Sequence, residues 1–325
     1  MHIGLVYDLF EAYPWQPGDP PDADAEYEPE ETVEALAAAV TALGYTPVRI
    51  GTARDLLGQI HRLNVDAVIN IAEGARSRNR EAYAPILLEM AGIPCLGSDA
   101  LTLSLSLDKA WTKDLAIAAG VPTTPYRVYT SAAAIDEDDL LPWPLFVKPR
   151  YEGTAKGITA RSKVETLAEL REQVAWATKT YRQDALAEVF VEGGGEFTVA
   201  VVGNDPPEAL PVLQRAVEAT TGIGLHALDR RGQHFDYTLD ASLDAALEAT
   251  LQTLAVAVYD KLECKDFARI DFRVDAGGRP WFLEINPLPT FAPDGTFAII
   301  AEIAGRDYAD FLAEVLERGL RRLGV

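Results

Sequence analysis

The sequence predicts an α/β protein whose N-terminal part is a doubly wound parallel sheet and whose central part is α+β, and three observations carry that expectation. Strands and helical periods alternate up to about residue 98. A helical stretch at 100–120 then ends at Gly120-Val121-Pro122, as a domain boundary does. Beyond it, apolar strands follow one another, two of them joined across Gly277-Gly278.

In chain order, residues 2–7 read as a buried strand, followed by a polar, acidic, Pro-rich loop at 11–29. A helical face begins at Glu30 and is marked by Val33, Leu36, Val40 and Leu43. Pro29 suits the first helical position and Gly44 the stop. Pro47–Ile50 is the next strand, completing a βαβ unit, and Ala67–Ile71 a third. A helix over Glu81–Ala91 leads to the short strand Pro94–Leu96. After the 100–120 helix come a strand at 145–149, a helix at 164–178, strands at 186–191 and 196–202, and a helix at 242–261. Strands at 267–274 and 280–286 and a helix at 307–323 close the chain. The expected division is 1–99, 100–187 and 188–325.

With 325 residues, the chain is long enough for two or three domains with cores of their own. The net charge of -21 argues against a nucleic-acid partner, because a phosphate backbone demands a cationic footprint. Cys95 and Cys264 match no metal-ligand or disulfide pattern, so two reduced thiols and a cytoplasmic location are expected. The N-terminus lacks the features of a signal peptide. No stretch of about 18 apolar residues offers a membrane span.

The chemistry is concentrated in the last two long strands. If Gly277-Gly278 is the turn, Asp271 lies opposite Glu284 and Arg269 opposite Asn286, all on one face. Ile270–Ile285, Phe272–Leu283 and Val274–Trp281 then pair on the apolar face. Two opposed carboxylates repel by about 0.2–1 kcal/mol before desolvation. A cation between them is therefore expected, and Mg²⁺ suits carboxylates supplemented by the carbonyl of Asn286. The plainer reading is a solvated face on which Arg269 and Arg273 neutralise the acids, although the stiff, apolar Pro287-Leu288-Pro289 exit argues against it.

Upstream, Lys148 ends a strand and precedes a loop with Gly153 and Gly157, whose small residues let backbone N–H groups approach phosphate. It is not a Walker A loop, and alone it reads as an ordinary turn. Glu188-Val-Phe-Val-Glu192, three glycines and Glu196-Phe-Thr-Val199 form an apolar strand pair with acidic ends. Such a strand can present backbone to an adenine edge, or it can be two strands on a flexible link.

Lys148 with its Glu152–Gly157 loop, Glu188 to Glu196, and Arg269-Ile-Asp271 with Glu284-Ile-Asn286 together resemble the ATP-grasp fold. More closely, the chain resembles D-alanine–D-alanine ligases. The likeness extends through Asp66-Ala-Val-Ile-Asn70, Ala91-Gly-Ile-Pro-Cys-Leu-Gly-Ser98 and Asp108-Lys109. It implies that Lys109 and Lys148 bind ATP phosphates beneath a loop formed by Glu152, Gly153, Thr154, Ala155 and Gly157. It further implies that Glu188, the backbone near Val191, and Glu196 hold adenosine. Asp271, Glu284 and Asn286 would bind a pair of Mg²⁺ ions, with Mn²⁺ an alternative, and Arg269 would stabilise the oxyanion of a tetrahedral intermediate. The implied reaction activates a small carboxylate as an acyl phosphate, which an amine then attacks. A water-excluding loop and a homodimer are also implied.

The chain departs from the family pattern where the second substrate is held. Thr290 replaces a glycine, and Gly295 falls where the family carries a serine. Asp294 could favour an amine-bearing group or cap a helix. The family's lid Tyr and Lys pair is not found in 208–240, where His226, Arg230, Arg231 and His234 stand instead. The donor's ammonium goes in the family to a glutamate at the opening of the first helix, and Glu30, with Glu28 and Glu31 as alternatives, is the expected counterpart. A nucleotide-binding sensor of the same fold that does not ligate is the competing function.

Overall fold

A computed structural model describes residues 1–228, 237–238 and 243–325. The strands β1 (His2–Val6), β2 (Thr46–Gly51), β3 (Ala67–Asn70) and β4 (Cys95–Leu96) form a parallel sheet in the order β2-β1-β3-β4. Helices cover both faces, as double winding requires. The helix α1 (Glu30–Ala42) buries Val33, Leu36 and Val40 on one face. On the other, α2 (Ala53–Gln59) and α3 (Tyr83–Ala91) bury Leu56 and Leu88. Pro29 is the residue before the first turn of α1 rather than within it, and Gly44 ends the element at φ +81°. The helix α2 was not expected from the sequence. It begins at a Thr52/Asp55 capping box.

The single helix expected at 100–120 is two, α4 (Ala100–Leu107) and α5 (Lys109–Ala118). Asp108 breaks them at ψ 96°, and its carboxylate accepts from the amides of Ala110 and Trp111. Arg150 holds the same carboxylate through two bonds of 2.8 Å.

The second sheet is antiparallel, ordered β5-β8-β6-β7 from β5 (Tyr126–Tyr129), β6 (Leu145–Pro149), β7 (Lys163–Val164) and β8 (Ala185–Val189). The helix α6 (Leu167–Tyr181) covers it, burying Leu170, Val174 and Ala177. The strand β8 crosses the division expected at 187/188.

The third sheet runs β10-β9-β14-β15, with β11 also on β9, and comprises β9 (Glu196–Val202), β10 (Glu208–Ala209), β11 (Leu213–Arg215), β14 (Phe267–Val274) and β15 (Pro280–Asn286). Between β11 and β14 lie the paired β12 (Val217–Glu218) and β13 (Tyr237–Thr238), the one-turn helix α7 (Leu225–Leu228), and α8 (Ala245–Lys261), which packs beneath the sheet. After β15 come α9 (Thr296–Ile303) and α10 (Tyr308–Arg322). Phe311, Leu312, Val315 and Leu316 of α10 share a core with Ile3, Leu5 and α1, so the end of the chain completes the hydrophobic core of the first sheet.

The β14–β15 pairing keeps Arg269 opposite Asn286, Ile270 opposite Ile285 and Asp271 opposite Glu284. Beyond Asp271 the register departs from expectation. Phe272 meets Phe282 rather than Leu283, and Val274 meets Pro280 rather than Trp281. The connection is Ala276–Gly278, one residue longer than a Gly-Gly turn. The Asp275 amide donates to the Arg279 carbonyl, and Gly278 sits at φ +81°. A bulge at Leu283 then restores the pairing that faces Asp271 with Glu284. It also frees Leu283 from the core position, which Phe282 takes.

Candidate functional site

The second and third sheets meet over a cavity of about 160 Å³. Its charged end is lined by Lys109, Lys148, Arg269, Asp271 and Glu284; its apolar end by Phe146, Ile158, Phe190, Val191 and Ile223. Glu152, Thr154, Ala155, Glu188 and Glu196 also line it, while Gly153 and Asn286 line a smaller adjoining cavity.

Lys109 arrives because α5 restarts at that residue after the Asp108 break. Its ammonium lies 3.3 Å from Glu284 and donates to the Glu152 carbonyl. Lys148 comes from the buried strand β6 and lies 2.8 Å from Glu188 Oε1. Lys113, one helical turn after Lys109 and fully buried, lies 2.6 Å from Glu188 Oε2. Thr124 donates to that same oxygen at 2.8 Å.

Both oxygens of Glu188, 2% exposed, are therefore engaged within the protein. Burial alone would raise its pKa, but the ammonium groups of Lys113 and Lys148 outweigh that and bring it down to about 2. Glu188 thus fixes Lys148, and both Glu188 and Glu196 line the cavity. Glu196 is opposite Arg273, which lies 3.3 Å away, and His226 approaches it at 3.6 Å.

On the hairpin, Asp271 sits between Thr198 of β9 and Glu284 of β15. Thr198 donates to Asp271 Oδ1 at 2.7 Å, and Arg269 Nε lies 3.1 Å from Oδ2. Arg269 Nη2 is 3.9 Å from Glu284. The charge expected between the two carboxylates is thus supplied here by Arg269 and Lys109, while Arg273 serves Glu196. Against burial, Lys109, Lys148 and Arg269 hold Glu284 down at about 2. Asp271, Glu284 and Asn286 remain a hard-oxygen set of the kind that suits Mg²⁺. The Asn286 Oδ1 accepts from the Leu288 amide at 2.9 Å.

The structure leaves other expected residues outside the cavity. Gly157 has its amide on Asp22 at 3.0 Å, and its φ of +76° turns the loop against Pro149. Glu30 is exposed and paired with Arg49. Glu28 takes the buried place instead, accepting from Thr32 at 2.8 Å and Thr290 at 2.9 Å. Burial holds Glu28 above the usual carboxylate range. Asp294 is exposed and caps nothing, because Gly295 occupies the position before α9 and no side chain caps that helix. Arg230, Arg231 and His234 lie outside the described residues.

Sequence reasoning missed Lys113, although its spacing from Lys109 was a usable signal. It also missed Glu26, which the acidic composition of 11–29 disguised as surface. Glu26 is buried, 2.5 Å from Arg80 and 2.9 Å from Lys156, and receives the Gly153 amide, so it ties the loop over the cavity to the N-terminal sheet. Arg80 and Lys156 lower it to about 2 despite its burial.

A family model described as the D-ala D-ala ligase C-terminus matches residues 115–317. The chain belongs to the D-alanine–D-alanine ligase family. It is an ATP-dependent carboxylate–amine ligase of the ATP-grasp fold. A D-alanine–D-alanine ligase of Bordetella petrii is 34% identical over 70% of this chain and 69% of its own length. One from Pelotomaculum thermopropionicum is 27% identical over 91% and 93%. An uncharacterized protein of Sinorhizobium fredii is 31% identical over 78% and 75%. Among solved structures, Bacillus anthracis D-alanine–D-alanine ligase complexed with ATP superposes with a TM-score of 0.73 at 21% identity, covering 100% of this chain and 98% of that one. The VanG D-Ala:D-Ser ligase of Enterococcus faecalis gives 0.72 at 20%, covering 98% of each.

Proposed function

We propose that this ligase joins the carboxylate of one small amino acid, or a similar acid, to the amine of another, using ATP bound in the cavity described above. The observation that carries this reading is the convergence of Lys109, Lys148, Arg269, Asp271 and Glu284 at one end of a cavity whose other end is apolar.

Phe146, Phe190 and Val191 offer an apolar slot for a flat purine, and Glu196 a carboxylate for ribose hydroxyls. Lys148, fixed by Glu188, and Lys109, delivered by the Asp108 break, hold phosphate oxygens. The segment Glu152–Ala155 lies over them. Arg269 has its guanidinium at the charged end, where it stabilises the oxyanion formed when an amine adds to the activated carboxyl carbon. Asp271, Glu284 and Asn286 would hold Mg²⁺, which would supply charge neutralisation to the phosphates and take over from Arg269 and Lys109 the balancing of the two carboxylates. Glu26, by holding Gly153 and Lys156, keeps water from the reacting centre.

The acceptor end is where this chain departs most from the family pattern, and Thr290 is the proposed acceptor-side contact, beside Glu28, which takes the place of Glu30 as the proposed partner of the donor's ammonium. A homodimer and a cytoplasmic location complete the reading. Among the described residues, no helix is long and apolar enough to cross a membrane.

The test is ADP and phosphate release by the full chain with Mg²⁺ and pools of D- and L-amino acids and small amines. Release that requires both a carboxylate and an amine is expected. ATP binding without turnover on any pool would overturn the ligase reading in favour of a sensor.

A further inference from the structure

Arg215 takes no part in the chemistry described so far. It ends β11, and strand alternation puts it on the same face as Leu213, which pairs with Thr198, and so on the face that carries Asp271 and Glu284. Yet it lines neither the nucleotide cavity nor the smaller one beside it. Among the described residues its guanidinium forms no ion pair with a carboxylate; its partners are two hydroxyls. Nε donates to Thr198 Oγ1 at 3.2 Å and Nη2 to Thr296 Oγ1 at 2.6 Å. Burial and then the nearby Arg269 lower its pKa, with Asp271 and Glu196 opposing them. A partly buried cation kept beside another cation, without a carboxylate of its own, is unfavourable to the fold.

The geometry of the Thr198 hydroxyl shows what the cation does there. A guanidinium N–H donates and cannot accept, so the Thr198 oxygen gives Arg215 a lone pair and turns its single proton the other way. That proton goes to Asp271 Oδ1, at 2.7 Å. Thr198 is 1% exposed, so bulk water does not compete for it. Arg269 grips Oδ2 at 3.1 Å from the other side, but its share in balancing Asp271 and Glu284 is the task a bound Mg²⁺ would take over. The contact from Thr198 is uncharged and has no such competitor, which makes it the lasting grip on Asp271. Through Thr296, the first residue of α9, the same guanidinium also anchors the segment that follows Glu284 and Asn286 out of β15.

We propose that Arg215 is a positioning residue: through Thr198 it holds Asp271 in the orientation in which that carboxylate accepts a divalent cation. The proposal rests on the assignment of Asp271 to Mg²⁺ in the ligase reading. Its sign separates it from plain electrostatics. As a mere positive charge beside the oxygen ligands, Arg215 would oppose a metal and its removal would strengthen metal binding; as a positioning residue, its removal weakens it.

The test is isothermal titration calorimetry of ATP into the full chain without amino acids, once with excess Mn²⁺ and once with EDTA. The ratio of the two affinities measures what the metal adds, whereas a purely structural defect lowers both affinities and leaves the ratio alone. In Arg215→Met and in Thr198→Val the ratio should fall about tenfold, the size of a lost hydrogen bond to a charged group, and it should fall no further in the double variant. Arg215→Gln, whose amide nitrogen stands at the position of Nε, is neutral but can still donate to Thr198, and should retain most of the ratio. Should Arg215→Met not fold, Thr198→Val against Thr198→Ser puts the same question with the charge kept, and only the valine should lower the ratio. An unchanged or raised ratio in Arg215→Met or in Thr198→Val overturns the proposal, as do losses that add in the double variant. A wild-type ratio that survives in Asp271→Asn would instead overturn the metal assignment itself, and the proposal with it.

Discussion

The two walls of the cleft carry the same side chain in opposite electrostatic circumstances. On the side built from the second and third sheets, Glu188 faces two lysine ammonium groups, and Glu284 faces Lys109 and Arg269. Both are held at about 2 in spite of burial. On the N-terminal side, Glu73 and Glu81 face one another and are held high. Desolvation raises all four, so the neighbouring cations decide the outcome. A wall neutralised internally holds its charged groups still, whereas Glu73 and Glu81 keep a proton to higher pH.

The largest effect should come from the neutralised wall. Asp271→Asn and Glu284→Gln each should lower ADP release at least about 100-fold, the scale of losing one preorganised electrostatic contact in a transition state. Circular dichroism should show the fold retained. Full activity in both variants would break the assignment of the hairpin face.

Lys113→Met tests whether cations alone depress Glu188. It leaves a buried carboxylate with one ammonium instead of two, and a stability loss of about 3 kcal/mol is expected from urea unfolding. The Km for ATP should rise as well, because Lys148 would be drawn toward a carboxylate it no longer shares. A neutral result would mean that Lys113 only fills space.

The pH dependence of stability should have opposite signs on the two walls. Glu188 is lowered from 4.5 to about 2, so its contribution is present above pH 4.5 and is lost as pH falls toward 2. Glu81 is raised from 4.5 to about 7, so the folded state binds the extra proton and stability declines as pH rises across that window. Glu81→Gln should reduce the decline and leave the protein more stable than wild type at pH 8, by on the order of 2 kcal/mol. Equal urea midpoints at pH 8 would contradict a raised Glu81.

How much the sequence revealed follows the same division. The hairpin face was legible because strand alternation is local: Arg269, Asp271, Glu284 and Asn286 could be placed on one side from the pattern alone. Its far end was not, because a longer loop and a bulge at Leu283 offset one another. Phe282 and Leu283 are both apolar, so nothing in the pattern marks which of them faces the core. The N-terminal wall was illegible for another reason. Glu26 meets Arg80 across 54 residues and Lys156 across 130, and composition near Glu26 suggests only a solvated loop. Similarly, Glu188 could be recognised as a site residue while its partners Lys113 and Thr124, brought by other elements, could not.

The smallest effect should separate Glu30, the residue the sequence put forward for the donor's ammonium, from Glu28, its alternative. Glu30 and Arg49 form an exposed pair, so Glu30→Ala should change stability by no more than about 0.5 kcal/mol and leave ADP release unaltered. Glu28 is buried between Thr32 and Thr290, and Thr290 follows the exit from β15, so Glu28→Gln alters the join between the N-terminal sheet and the hairpin strand. Its effect should appear in the Km for the amino-acid substrates more than in that for ATP, because the cavity's apolar end is lined by neither residue. A loss of ATP affinity in Glu28→Gln, or of activity in Glu30→Ala, would show that the donor's ammonium has been placed on the wrong glutamate.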